Sequence, residues 1–348
     1  MNIVEIVKAN IGTTDIKFQN QINILKRQFQ SSNINILIGA GFSYGVAKLL
    51  GNIENQLYLA EIEGNEKDVV AIKKDFFKRS ILPMTDKEKV KVGEPQRIRF
   101  FNLIKKIIEN RQSSILHKIV NVFTTNYDLL IESSFENSHI EYVDGFLGKL
   151  HPVFSTANYG MILSHQTSIS SMTSEVVTFN LYKVHGSLNW QCEDSKIIWC
   201  NHVENIKKIE QYLESEQFSD FYDSLAIINP SKDKLKQTVL NVNYYDQLRM
   251  FCNEMEKSNT ILLSYGFSFA DEHILQMTKR SLNSNPTFCL VIFSFNEEST
   301  KKYQQLFNDY SNVTVIQLVE ESGGAVSVLD FTQENVNNIL EAVYNETK

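Results

Sequence analysis

The residues best suited to chemistry in this chain lie in short polar clusters, each following an apolar run. Thr124-Thr125-Asn126-Tyr127-Asp128 follows "KIVNVF". An Asn side chain both donates and accepts, and an ionised Asp only accepts. That pairing suits ribose hydroxyls and a carboxamide, with Thr125 as a further lining group. A helix cap for "LLIESSF" is the competing reading of Asn126 or Asp128. His185-Gly186-Ser187-Leu188-Asn189-Trp190 brings an imidazole, a neutral base at cellular pH. A structural histidine is its alternative. Gly39-Ala40-Gly41-Phe42-Ser43-Tyr44-Gly45 would let a phosphate approach backbone amides. Its spacing is GxGxxxG, and no acidic residue after a second strand is placed to hold a ribose; a simple turn competes with it. Later clusters supply Pro230, Gly266-Phe267-Ser268, Asp271 and Asn296. Ser268 offers a hydroxyl to a phosphate or ribose, and Asn296 an amide to an adenosine ribose, each against a plain turn. Asp271 sits where a helix cap belongs.

Those clusters need a scaffold that brings them together. Residues 1 to 30 read as helical, from Ile3, Ile6 and Val7 and then Ile22, Leu25 and Phe29. "NINILIGAG" reads as a strand entering a glycine turn. Residues 46 to 118 read as mostly helical, an inserted module. Strands return at "KIVNVFTTN", "VTFNLYKVHG", "SLAIINP", "NTILLSYGFS", "TFCLVIFSFN" and "NVTVIQLV", several of them continuous apolar runs as in strands buried on both faces. Helical patterns separate the later strands, and one closes the chain. The alternation predicts an α/β fold, Rossmann-like, with a mostly parallel sheet and helices on both faces. Residues 1–348 read as one domain. Ligands in such sheets bind beyond the strand C-termini, where the polar clusters fall.

Composition narrows the partners. The 348 residues carry a net charge of −7, with Lys and Arg scattered, which argues against direct nucleic acid binding. Four cysteines without a CxxC argue against a disulfide framework and for a reducing cytoplasm. No apolar run approaches the roughly 20 residues of a membrane span, and the start does not read as a signal peptide.

In order, these motifs resemble the sirtuin-like superfamily: Gly39-Ala40-Gly41 with Ser43, Asn126-Tyr127-Asp128, His185-Gly186, Pro230, Gly266-Phe267-Ser268 and Asn296. The resemblance spans about residues 33 to 300 and implies NAD as substrate. It departs in two places. Only Cys192 and Cys200 follow the His-Gly, too few for a four-ligand structural zinc, so no zinc is expected and both are read as small apolar fillers. Residues 187–225 then form a small insertion in place of the zinc module. No Asp-Phe-Arg follows the glycine loop. The His-Gly-Ser-Leu-Asn-Trp segment and the helical block are more similar to the bacterial sirtuin-like NAD hydrolases, effectors of anti-phage defence. The resemblance implies catalytic Asn126, His185 and Asp128, and NAD contacts from Gly39, Ala40, Gly41, Ser43, Thr125, Gly266, Ser268 and Asn296. It also implies a homo-oligomer or a partner such as a HerA-type ATPase. A protein deacylase and a non-catalytic NAD- or ADP-ribose-binding subunit are the alternatives.

Overall fold

A computed structural model describes residues 4–9, 16–46, 53–113, 115–166, 173–193, 196–200, 213, 217–227, 242–322, 325–328 and 332–347. Pro230 lies outside them. The main sheet contains β1 (Glu5–Ala9), β2 (Asn33–Ile38), β3 (Ile119–Thr124), β4 (Glu141–Val143), β9 (Thr178–Lys183), β13 (Thr260–Tyr265), β14 (Phe288–Phe293) and β15 (Val313–Ser322). Their order across the sheet is β1-β15-β14-β13-β2-β3-β9-β4, all parallel, and β16 (Ala325–Val328) pairs antiparallel with β15.

The strands are mostly apolar on both sides because both faces are covered. Ile34, Ile36 and Ile38 of β2, with Val120 and Val122 of β3, face a core shared with the helices Ile16–Ser31, Glu94–Glu109, Leu130–Asn137 and Gln333–Thr347. Leu37, Phe123 and Tyr182 face the opposite layer, built on Val242–Met255, Glu272–Ser284 and Glu297–Leu306. The alternation follows from the two-residue period of a strand. The expected mostly parallel α/β sheet with helices on both faces is therefore observed.

One polar row crosses the second face. Asn35, Asn121 and Asn180 occupy paired positions of β2, β3 and β9. Asn121 Nδ2 donates to Asn35 Oδ1 and Asn180 Nδ2 to Asn121 Oδ1, both at 2.9 Å. A one-residue slip would break every bond in this ladder, so it specifies register.

Two expectations are corrected. Residues 5 to 9 form an edge strand on β15 rather than a helix. Three apolar residues are too few to fix a period, and pairing with β15 decides. "SLAIINP" contributes β12 (Leu225–Ile227), which joins a second sheet instead of the parallel one. That sheet is antiparallel, in the order β12-β10-β11-β6-β5, with β5 at Phe146–Leu147, β6 at Val153–Phe154, β10 at Gly186–Glu193 and β11 at Lys196–Trp199. Most of β10, all of β11 and the first residue of β12 fall within residues 187–225, expected as a small insertion. A two-stranded pair, β7 (Ser164–Gln166) with β8 (Thr173–Glu175), lies apart from both. The helical block, expected as an inserted module, packs on two cores. Phe100, Phe101, Ile104, Ile107 and Ile108 of its last helix belong to the main core. Phe76, Phe77, Ile81 and Met84 pack instead with Leu188 of β10 and with Phe218 and Tyr222 of the Gln217–Ser224 helix.

Candidate active site

The sheet brings the polar clusters to one edge. Tyr265, Ile38, Thr124 and Lys183 are laterally paired at the C-terminal ends of β13, β2, β3 and β9, and Phe293 of β14 pairs with Tyr265. The residues that follow each strand therefore form a row. Chain order reverses here: β2 has the next main-sheet strand, β3, on one side and the much later β13 on the other. This is the kind of switch point where open α/β sheets hold ligands.

At that point two glycine turns touch. A Cβ on Gly39 would sit 2.5 Å from Gly266 O, and one on Gly266 would sit 2.8 Å from Gly41 Cα. Gly266 also has φ +64°. The Gly39 amide donates to Tyr265 O at 3.1 Å and the Gly41 amide to Gly266 O at 2.9 Å. Both amides are thus taken up inside the protein, and the glycines serve close backbone approach rather than the expected donation to a phosphate. Ala40, between them, is exposed.

Beside the crossing lies a directional hydrogen-bond chain. Asn126 Nδ2 donates to Gly39 O and to Ser43 Oγ, each at 3.0 Å. A carbonyl only accepts, which fixes the orientation of the amide group. Ser43 then donates to Asp128 Oδ2 at 2.5 Å, and Asp128 Oδ1 accepts from Leu130 N at 3.0 Å. Asn126, Ser43 and Asp128 are all buried. With both amide protons of Asn126 committed, Oδ1 is left as its acceptor. Asp128 has both oxygens engaged, so it positions Ser43 and Asn126. A carboxylate oxygen accepts more than one bond, so these contacts leave capacity for the expected carboxamide contact. Ser43 is a link in this chain rather than an exposed phosphate ligand.

Beneath Asp128 sits a charged pair that the sequence reading did not single out. Lys183 Nζ donates to Asp128 O and lies 2.9 Å from Glu132 Oε1. Burial pushes the Glu132 carboxyl upward, and Lys183 opposes the shift. A charge inside the apolar "NLYKV" was the available signal. Arg97 was missed as well. It is buried and donates to Val92 O at 2.7 Å and Val90 O at 2.6 Å. Burial lowers its pKa, partly offset by the charge of Asp128.

His185 follows β9, two residues past the pairing with Thr124. Its Nε2 lies 3.1 Å from Asp271 Oδ2. Gly186, at φ +80°, is required because a Cβ there would fall 1.9 Å from Ala226 O of β12. The glycine thus admits a neighbouring strand, a reason the sequence did not reveal. Asp271 also caps the Glu272–Ser284 helix as expected, accepting from His273 N and Ile274 N.

The remaining residues lie on the rim. Thr125 is half-buried, and Ser268 is exposed. Asn296, read as a ribose contact, caps the Glu297–Leu306 helix in a capping box with Ser299; its Oδ1 is committed to the Ser299 amide at 2.9 Å. Tyr44 and Phe295 are exposed, with ring centroids 6.3 Å apart. Cys192 is exposed, which corrects its reading as an apolar filler. No cluster of three or more metal-ligating side chains occurs among the described residues, and among them no helix is long and apolar enough to cross a membrane.

The strand order and the row of polar groups beyond it are those of a Rossmann-like α/β domain. A family model described as a SIR2-like domain matches residues 120–316, and the chain belongs to that family. None of the curated proteins compared matches it. A solved structure of Sir2Tm bound to a propionylated peptide aligns over 84% of this chain and 91% of its own. The identity is 14% and the TM-score 0.41, a distant likeness from which no residue role is transferred.

Proposed function

We propose that the chain is an NAD glycohydrolase, cleaving NAD to nicotinamide and ADP-ribose as a regulated effector of bacterial anti-phage defence. The observation that carries this reading is the fixed Asn126. Its amide is oriented by Gly39 O and Ser43 at the switch point of a SIR2-like sheet, one strand from His185.

Cleavage of the nicotinamide–ribose bond builds positive charge on the sugar, as in glycoside hydrolysis. Asn126 Oδ1 accepts from a ribose hydroxyl or from the attacking water. His185 takes a proton from that hydroxyl or water as general base. Asp128 holds Ser43, and through it Asn126, in the working orientation, so the geometry is set before substrate arrives. Ala40 and Ser268 flank the pyrophosphate, Thr125 lines the pocket, and Tyr44 and Phe295 offer apolar surface to a flat base. A metal plays no part in this proposal.

The test is nicotinamide release from NAD by the purified chain without any acylated peptide, alongside Asn126→Ala and His185→Ala. Loss of release in both variants is expected. Full turnover in either would remove that residue from the mechanism, and release that depends on an acyl-lysine peptide would replace hydrolysis with deacylation.

A further inference from the structure

We infer that Asp271 is the positioning residue of His185, holding its imidazole in one tautomer over the strand ends; the catalytic importance of this role rests on the hydrolase reading above. His185 comes from the end of β9 and Asp271 from the loop after β13, with β2 and β3 between them in the sheet. The two side chains therefore meet from opposite flanks of the row that carries Asn126 and the glycine crossing.

The carboxylate divides its work. Oδ1 accepts from the His273 and Ile274 amides at 3.1 and 3.3 Å, which fixes the side chain on the helix N-terminus. Oδ2 is thereby aimed at Nε2 at 3.1 Å. The approach lacks the alignment of a full hydrogen bond, as catalytic pairs often do before substrate binds. Both side chains are largely buried, at 12% and 9% exposure. A carboxylate accepts only, so it favours the proton on Nε2 and leaves Nδ1 as the basic atom.

A second observation points to the same loop. Phe269, two residues before Asp271, has φ +53°, a conformation that costs a bulky L residue about 1 kcal/mol or more. Its ring is buried and packs edge-on against Phe267 and Phe307, both at 5.0 Å. The packing holds a strained backbone that delivers Asp271 to His185, and strain of this kind concentrates at functional sites.

The experiment compares wild type with Asp271→Asn. Asn caps helices as well as Asp does, so the fold is retained. Its Nδ2 donates where Oδ2 accepted. The first readout is the 15N pattern of His185 in 15N-histidine-labelled protein, followed over a pH series so that the neutral ring is read; the resonance is assigned by comparison with His185→Gln. Wild type should show the Nε2–H tautomer, and Asp271→Asn should shift it toward Nδ1–H. The second readout is NAD turnover. Here kcat should fall by at least about 10²-fold, within the ~10²–10⁴ that a positioned general base contributes, while KM stays within about twofold. Asp271→Ser, which caps but is too short to reach Nε2, serves if the Asn variant is poorly folded, and it should lose the Nε2–H preference. An unchanged His185 tautomer in a folded variant would overturn the inference. Should the wild-type chain alone not turn over NAD, the hydrolase reading is tested separately with its partner, and the tautomer readout alone decides whether Asp271 positions His185.

Discussion

At the scale of single residues, the candidate site is a chain of donors and acceptors whose direction is fixed. Gly39 O can only accept, so Asn126 must present Nδ2 to it; Ser43 then accepts from Asn126 and donates to Asp128. Ser43→Ala removes the link while leaving every terminal group in place. Loss of a buried hydrogen bond to a charged group costs about 1–3 kcal/mol, so urea denaturation should show a fall in stability of that size. Nicotinamide release should drop at least about tenfold, because an Asn126 displaced by a fraction of an ångström positions its ligand poorly. An unchanged rate would mean that Ser43 serves folding alone. The glycine crossing offers a second test with its own control. Gly266 and Gly64 have nearly equal φ, +64° and +66°, yet a Cβ on Gly64 meets nothing within 4 Å. Gly64→Ala should cost only the ~1–2 kcal/mol of a left-handed backbone. Gly266→Ala should cost about 3 kcal/mol or more, because strain and a collision with Gly41 combine. Equal losses in chemical denaturation would contradict the close packing of the two turns.

At the scale of elements, the Asn35–Asn121–Asn180 ladder sets how β2, β3 and β9 align, and with them the polar residues beyond their ends. Asn121→Val leaves Asn35 Oδ1 and Asn180 Nδ2 buried without each other's bridge, at about 1–3 kcal/mol for each stranded group. Replacing all three by Val removes both partners of each ladder bond and should be less destabilising than the single change. Urea midpoints of the two variants decide the point, and a triple variant weaker than the single one would argue against the ladder as a coupled unit. The same strands were the most legible elements in the sequence. Double-faced burial writes β2, β3, β9, β13 and β14 as long apolar runs, and the residues that break those runs mark the edge where the site forms. The run that becomes β12 was legible as a strand but its antiparallel place beside the eight-residue β10 was not, and β5 and β6 have two residues each, too few to show a period. The edge strand Glu5–Ala9 was misread for the same reason. The contact between His185 and Asp271 left no local signal, since it joins residues far apart in the chain through the strand order. Asn126 and Asp128 were legible as a polar pair. Their inward hydrogen bonds were not, because a sequence does not say which lone pairs are already occupied.

At the scale of the whole molecule, one sheet edge gathers the candidate polar residues; the helical segment around Phe76 and Phe77 packs with Leu188 and Leu225 of the second sheet and with Leu130, just after the Asn126–Asp128 cluster, while Phe154, Trp190, Ile197 and Ala226 of that sheet join the core on the second face of the main one. A hydrolase that consumes NAD without restraint would be toxic, so the proposal includes control by self-association or by a partner, a HerA-type ATPase among the candidates. Sedimentation at increasing protein concentration should reveal species heavier than the monomer, with NAD turnover rising along with them. A strictly monomeric protein of constant specific activity would move control to a partner alone. The central claim is NAD hydrolysis through Asn126, and the most direct measurement is nicotinamide release by the purified chain given NAD and no acylated peptide, beside Asn126→Ala. The account predicts release by the wild type and none above background by the variant. Release that needs an acyl-lysine peptide, or that survives Asn126→Ala undiminished, would contradict it.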